Sequence, residues 1–429
     1  MKRKIAKKAK PSRPNTIFIQ IASYRDPQLK PTLVDMLDKA DCPENLRVGI
    51  AWQHAQEDSW DNLDEYKKNP NFRIIDIHYK DSQGVCWARN AVQQLYKKEK
   101  YTLQLDSHHR FAKGWDTRLI NMLESLQEKG YKKPLITAYI PSFDPDNDPE
   151  SRIQTPWKMN FDRFIPEGAV FFIPATFDSW DDSSQPLPAR FYSAHFAFTL
   201  GEFCTDVPHD PNYYFHGEEI SIAARAFTYG YDLFHPNEVL CWHEYTRKGR
   251  TKQWDDDPIW HQRNNSAHAR NRKLFEMDGE KKDIDFGKYG FGYIRLLKDY
   301  EKYSGLCFSK RGVRKDVLDH KSPNLEDVSI DDSVFYSSLT SIFKHCIDIQ
   351  FAQAPENDYN FWVVAFKDKE GNDLYRKDAD SEEISRMKND PDGYCKIWRE
   401  FQTENKPHSW IVWPHSVSKG WASPIIGNL

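Results

Sequence analysis

Asp106 and His108 stand one residue apart, directly after the apolar run Tyr101 to Leu105. A carboxylate and an imidazole at i and i+2 beyond a strand end can point to the same side and share one cation. One hard oxygen and one nitrogen suit Mn²⁺ or a similar divalent ion, with diphosphate oxygens and water completing an octahedron. A metal held there would offset the charge developing on a departing nucleoside diphosphate, which is Lewis-acid catalysis of group transfer. The tripeptide also has a plainer reading, in which Asp106 caps the next turn and His108 lies on the surface. Farther on, His216-Gly217-Glu218-Glu219 opens a helix, where acidic side chains are ordinary partners of the helix dipole. No obvious Ser-His-Asp set accompanies these residues.

The elements that must position them follow from periodicity. Thr16 to Ile21 is a β-branched and aromatic run, expected as a buried strand, with a loop at Ser23-Tyr24-Arg25-Asp26-Pro27. Helical spacing follows over Leu29 to Ala40. Leu46 to Trp52, Phe72 to Ile77 and Tyr101 to Leu105 are further strands, and Gly84 opens a helix running to about Tyr96. Alternation of this kind predicts βαβ units and a mainly parallel sheet, whose ligands bind beyond the carboxyl ends of the strands. The loops after Ile21 and Leu105 are therefore the first places to search. Downstream, Asp116 to Glu128 and Glu218 to Thr228 read as helices. Leu135 to Tyr139, Ala169 to Ile173, Ala194 to Leu200, Tyr231 to Phe234 and Val239 to Trp242 read as strands. Residues 142–166 are expected as a long surface loop, and 250–275, polar and aperiodic, as a loop beside the site that could serve as a lid. A polar stretch at 320–332 reads as a linker. Beyond it, Cys346 to Phe351 alternates, Phe361 to Phe366 is a strong strand, and Trp410 to Trp413 is another, stopped by Pro414. This is the pattern of a small β-rich domain, a sandwich.

With 429 residues the chain exceeds what one core normally holds, so two domains are expected. The expected division is a basic disordered tail (1–15), an α/β domain (16–320) and a β-rich accessory domain (333–429). Net charge is −4 and no recognition motif appears, which excludes nucleic acid as a partner. The exception is the start, MKRKIAKKAK. It reads as a solvated tail or as an electrostatic tether to acidic lipid or polymer. No apolar segment follows it, so neither a secretory signal nor a membrane span is expected. Seven scattered cysteines without a C-x-x-C pair argue against a disulfide framework and structural zinc, and for a reducing, cytoplasmic setting, with peripheral contact at the inner membrane face as a variant.

The chain resembles the retaining α-N-acetylglucosaminyltransferases that modify polypeptide hydroxyls, whose known members include the enzyme glycosylating hydroxyproline in Skp1. The resemblance runs, in family order, through IFIQIASYRDPQLKPTLVDML, LRVGIAWQH, GVCWARNAVQQLY, LQLDSHHRFAKGWD, HGEEISIAARAFTYGYDLFHP and, more weakly, FGKYGFGYIRLLKDYEKYSG. It implies a GT-A fold with a Rossmann-like mixed sheet, similar in its core to the mucin-type polypeptide N-acetylgalactosaminyltransferases. There a D-x-H variant of the DXD-like motif and a distant His hold Mn²⁺. Carried over, it assigns Asp106 and His108 to the metal, with His243 as the distant third ligand and His109 left out. Ser23, Tyr24 and Arg25 would meet the uridine and its phosphates, Arg25 pairing with phosphate and Tyr24 stacking on uracil. The plainer alternative is a turn with Arg25 salt-bridged to Asp26. Arg89 would be aimed at the nucleotide, against the alternative of an exposed helical arginine. Glu218 or Glu219, without a choice between them, would orient the sugar or the acceptor hydroxyl. His195 is a weaker addition, at a position where the mucin-type relatives use small residues. The implied reaction is metal-dependent transfer of N-acetylglucosamine from UDP-GlcNAc with retention. The acceptor would be a polypeptide hydroxyl (hydroxyproline, Ser or Thr) or a saccharide. A carbohydrate-binding protein that keeps the scaffold without catalysis is the competing expectation; retention of Asp106, His108 and His243 speaks against it.

Overall fold

The computed structural model describes residues 15–429 other than 166, 178–184, 389–392, 404 and 406. The basic tail expected at 1–15 therefore lies, but for Asn15, outside the described residues. The chain forms two compact units, one running up to Ser309 with Asp316–Ile330, the other Lys310–Lys315 with Asp331–Leu429. Most of the stretch read as a linker packs with the first unit, where Arg190 donates to the Lys321 carbonyl at 3.2 Å and pairs with Asp316 at 2.6 Å.

The first unit is built on an eight-stranded mixed sheet. Its strands are β1 (Ile17–Tyr24), β2 (Leu46–His54), β3 (Phe72–His78), β4 (Tyr101–Leu105), β6 (Pro134–Thr137), β9 (Leu187–Pro188), β10 (Phe196–Leu200) and β11 (Asp232–His235). Two hairpin-like pairs lie outside it: β5 (His109–Phe111) with β12 (Cys241–His243), and β7 (Trp157–Phe164) with β8 (Val170–Thr176). The sheet order is β3-β2-β1-β4-β10-β6-β11-β9, parallel except for β10 and β9. Helices α1 (Leu29–Lys39), α2 (Val85–Gln93), α3 (Trp115–Glu128), α4 (Glu218–Thr228) and α5 (Trp260–Phe275) complete the unit with several shorter turns.

Strand β1 is apolar without clean alternation because both faces are covered. Ile17, Ile19 and Ile21 join a core with Leu33, Leu123 and Leu126. Phe18 faces the other way, against Ala88 and Val92 of α2. Gln20, also buried, donates its side-chain amide to Thr102 Oγ1 on β4 at 2.7 Å.

Three expectations need correction. Residues 157–164 are not loop: their buried Met159 and Phe161 give them a reason to pair with β8. The span 250–275 contains α5, whose polar sequence masked a narrow buried stripe of Ala267, His268, Asn271, Leu274 and Phe275. Pro414 does not stop its strand, which runs Ser409–Ser416 with Pro414 opposite Trp362. The second unit is a sandwich. Leu339–Gln350 pairs with Tyr394–Thr403, and Tyr359–Lys367 pairs with Ser409–Ser416. Ile347, Ile349 and Ile397 of one sheet share a core with Trp362, Val364 and Val412 of the other. Among the described residues no helix is long and apolar enough to cross a membrane.

Candidate metal centre and cleft

Strands β1 and β4 run in parallel register, Ile21 beside Leu105, so the residues after each emerge together at the carboxyl end of the sheet. Asp106 is the first residue beyond β4. Ser107 and His108 then lead into β5, whose antiparallel pairing with β12 sets His243 directly opposite His109. That pairing carries a residue distant in sequence to Asp106. Asp106, His108 and His243 each present a ligand atom, all within 4.8 Å of one another. The Nε2 atoms of His243 and His108 lie 3.4 and 3.7 Å from Asp106 Oδ2. Burial pushes His243 well below the usual imidazole range, favouring the neutral form a metal requires. Burial alone would raise the Asp106 carboxyl, but Arg89 and then His243 and His108 hold it well below the usual carboxylate range. One ionised oxygen and two imidazole nitrogens fit Mn²⁺ or a similar divalent ion. His109 sits behind the cluster, fully buried, its Nε2 accepting from the Asp106 backbone N–H at 3.3 Å.

Asp26 orders this cluster. Its Oδ2 lies 2.7 Å from His108 Nδ1, accepts from Ser107 Oγ at 2.6 Å, and pairs with Arg250 at 3.0 Å. An ionised carboxylate can only accept, so the pairing with Asp26 favours the His108 tautomer protonated on Nδ1, with Nε2 turned toward Asp106 and 3.0 Å from Arg250 Nη1. Burial opposes ionisation of Asp26, yet His108 and Arg250 hold its carboxyl at about 2. Arg250 also pairs with Glu244 at 3.0 Å and touches the His108 ring.

Two lobes of one cleft meet at Asp106 and His243. The first is walled by Tyr24, Gly84, Tyr214, Arg247, Arg250 and Trp254. Gly84, which opens α2, has φ +107°, and a Cβ there would lie 2.7 Å from the Tyr214 ring. The second lobe, about 260 Å³ against about 160 Å³ for the first, is walled by Arg89, Tyr139, His195, Glu218, Glu219 and Tyr245.

The two glutamates at the start of α4 differ sharply. Glu218 is locked: it accepts from Arg89 and from Cys86 Sγ at 2.8 Å, and lies 3.4 Å from His209 Nδ1. Burial would raise its carboxyl, but Arg89 and His209 keep it at about 2. Glu219 accepts from Tyr139 Oη at 2.8 Å and from the Ala194 N–H at 3.0 Å; burial pushes its carboxyl up to about 7.

The remaining expected residues lie on both lobes and behind the cleft. Arg89 is no exposed helical arginine; 4% exposed, it bridges Glu218 and Asp106, the latter at 2.5 Å, rather than reaching into the first lobe. Arg25, held at φ +43°, pairs with Asp58 at 2.7 Å and Asp256 at 3.0 Å, so its charge is already matched, and neither carboxylate is Asp26. Ser23 is buried, away from the cleft wall. Tyr24 does line the first lobe, its hydroxyl donating to Asp256 at 2.8 Å. His195 lines the second lobe; its ring stacks on His243 with centroids 4.3 Å apart, and Tyr245 Oη lies 3.2 Å from its Nε2. Sequence reasoning missed Asp26, Tyr139, Tyr245 and Arg250. The position of Asp26, just past the end of β1, was the one available signal.

The family model described as "Glycosyltransferase (GlcNAc)" matches residues 16–71 and 60–310, and the chain belongs to that family. No curated relative matches it. Similar solved structures include GalNAc-T7 with UDP, GalNAc and Mn²⁺ at 15% identity and TM-score 0.48, covering 71% of this chain and 58% of that one. Another is the mannosyltransferase PcManGT of Pyrobaculum calidifontis with GDP-Man and Mn²⁺, at 11% identity and TM-score 0.33, covering 56% and 59%. A third is S. aureus TarS 1–349, at 10% identity and TM-score 0.36, covering 60% and 74%.

Proposed function

We propose that this glycosyltransferase moves N-acetylglucosamine from UDP-GlcNAc to a hydroxyl acceptor with retention of configuration. Asp106, His108 and His243 would hold Mn²⁺ or a similar divalent cation. The observation that carries the reading is the convergence of those three donors, within 4.8 Å, where the two lobes of the cleft meet. A cation bound there supplies Lewis-acid compensation for the charge of the leaving diphosphate. The first lobe takes the nucleotide, with Tyr24 offering its ring to the base and Arg247 and Arg250 offering positive charge to phosphate. The second lobe takes the sugar and the acceptor hydroxyl. Of the two glutamates, Glu219 is assigned to orient them with Tyr139, and Glu218 to position Arg89 against Asp106. His195 backs His243. Retention by same-face attack, in which the leaving phosphate accepts the proton, asks for no strong base. The ion pair that ties Glu218 to Arg89 suits that demand.

Donor and mechanism also rest on the resemblance to transferases that modify polypeptide hydroxyls, and the acceptor is a polypeptide hydroxyl or a saccharide. Residues 16–320 are proposed as the catalytic domain and 333–429 as accessory. The seven cysteines, none in a disulfide, favour a cytoplasmic setting. Exposed Trp413 and Trp421, centroids 4.6 Å apart on the accessory unit, favour a second reading as a non-catalytic carbohydrate binder. UDP-sugar hydrolysis separates the two. Turnover preferring UDP-GlcNAc, dependent on Mn²⁺ and lost in Asp106→Ala, is expected. Sugar binding without turnover of any UDP-sugar, with an acceptor panel present, would favour the binder.

A further inference from the structure

We propose that His195 and Tyr139 are positioning residues of the metal centre, orienting the ligand His243 by ring stacking where a metal-bound histidine ordinarily relies on a hydrogen bond. This role rests on the assignment of His243 to the cation. Nε2 of His243 faces Asp106 at 3.4 Å, which leaves Nδ1 as the nitrogen that a supporting carboxylate or carbonyl would hold. Among the described residues that Nδ1 has no hydrogen-bond partner, although it is buried. The two imidazoles are therefore supported differently, since Asp26 lies 2.7 Å from Nδ1 of His108. What His243 has instead is rings. His195 lies face to face with it, centroids 4.3 Å apart and planes 23° from parallel. Tyr139 stacks on His195 in turn, at 5.1 Å and 29°. Tyr245 meets His243 edge-on, at 4.3 Å and 71°.

The backbone just beyond β6 holds these rings. Ile140 N–H donates to His195 Nε2 at 3.4 Å, and the Ile140 carbonyl accepts from Tyr245 Oη at 2.8 Å. An N–H can only donate, so this bond favours the neutral His195 tautomer, its proton on Nδ1 and 3.2 Å from Ser193 Oγ. A neutral ring can lie against a cation ligand without adding a second positive charge beside the cation. The following residues fix the main chain of His243. Its N–H donates to the Pro141 carbonyl at 3.0 Å, and its carbonyl accepts from the Phe143 N–H at 3.2 Å. With the main chain held, the side-chain torsions of His243 are the freedom that remains, and a flat ring against its face restricts them. At the outer end of the stack, Tyr139 Oη donates to Glu219 at 2.8 Å. The stack thus runs from the metal ligand to the glutamate assigned to the sugar.

The test is calorimetric titration of Mn²⁺ into the UDP-saturated full chain and its variants, with folding checked by circular dichroism. His195→Ala removes the ring, and His195→Gln keeps an acceptor for the Ile140 N–H without a ring. Both should weaken Mn²⁺ binding by about tenfold. His195→Phe, which keeps a flat ring and gives up the hydrogen bonds, should stay within about threefold of wild type. The outer ring supplies a second measurement that leaves His195 in place. Tyr139→Leu should weaken Mn²⁺ binding by about threefold, whereas Tyr139→Phe, which loses only the bond to Glu219, should leave it unchanged. Wild-type affinity in folded His195→Ala or His195→Gln, or equal weakening by His195→Phe and His195→Ala, would overturn the stacking role. So would Mn²⁺ affinity that is the same in Tyr139→Leu as in wild type. Loss of affinity in His243→Ala beside wild-type affinity in His195→Ala would overturn the stacking role alone. Undiminished affinity in His243→Ala would remove the metal assignment, and the stacking role with it.

Discussion

Replacing Asp26 by Asn tests whether the His108 end of the centre is ordered from behind. The carboxylate holds His108 Nδ1 at 2.7 Å and Ser107 Oγ at 2.6 Å, and is 3% exposed, so solvent does little to weaken these bonds. A hydrogen bond to a charged group contributes about 1.5–3 kcal/mol. Changing the outer partner of a metal-bound histidine typically costs about 10–100-fold in metal affinity. Asn keeps one acceptor oxygen, so the low end applies: about tenfold, or roughly 1.4 kcal/mol. Arg250 retains Glu244 at 3.0 Å and is not left unpaired. The assay is the Mn²⁺ concentration giving half-maximal UDP-sugar hydrolysis, with folding checked by circular dichroism. Half-saturation should move up by about tenfold, and by more in Asp26→Ala, which accepts nothing. A folded Asp26→Asn protein whose half-saturation stays within about twofold of wild type would show that His108 needs no such support, or does not bind the metal.

Two further outcomes follow from the glutamates of α4. Glu218→Gln removes one of the two carboxylates that compensate buried Arg89, the two side chains 7% and 4% exposed, while Asp106 at 2.5 Å keeps the guanidinium paired, so it should cost about 1.5–3 kcal/mol in urea unfolding; an unchanged midpoint would contradict the bridging role. Glu219 carries a raised carboxyl, about 7 in the fold against 4.5 for the free group, so between those values the folded chain binds a proton that the unfolded chain releases. Its contribution to stability is complete below about 4.5 and is lost as pH rises toward 7. Glu219→Gln should therefore flatten the fall in thermal midpoint between pH 5 and pH 7, and an unaltered pH profile would refute the assignment.

Much of the sheet and half of the centre were legible in the sequence. Strands such as Tyr101–Leu105 read clearly because burial on both faces makes them continuous apolar runs, and Asp106 is placed by where that run ends. The contribution of His243 was not legible from spacing: the β5–β12 pairing that delivers it links residues more than a hundred positions apart, and only the family resemblance pointed to it. The surroundings of Arg25 and Arg89 were equally hidden. Their types suit phosphate, but their partners, Asp58 and Asp256 for one and Glu218 and Asp106 for the other, come from distant segments that no local pattern announces. The helix Trp260–Phe275 was missed because its buried stripe is narrow and includes His268 and Asn271, so periodicity of apolar residues could not reveal it.

The claim on which the rest depends is that Asp106, His108 and His243 hold one divalent cation. Calorimetric titration of Mn²⁺ into the UDP-saturated protein, and into His243→Ala, measures it without requiring an acceptor. One site per chain is expected, weakened at least about 100-fold in the variant, since a ligand rather than a supporting group is lost. Undiminished Mn²⁺ affinity in a folded His243→Ala protein would contradict it.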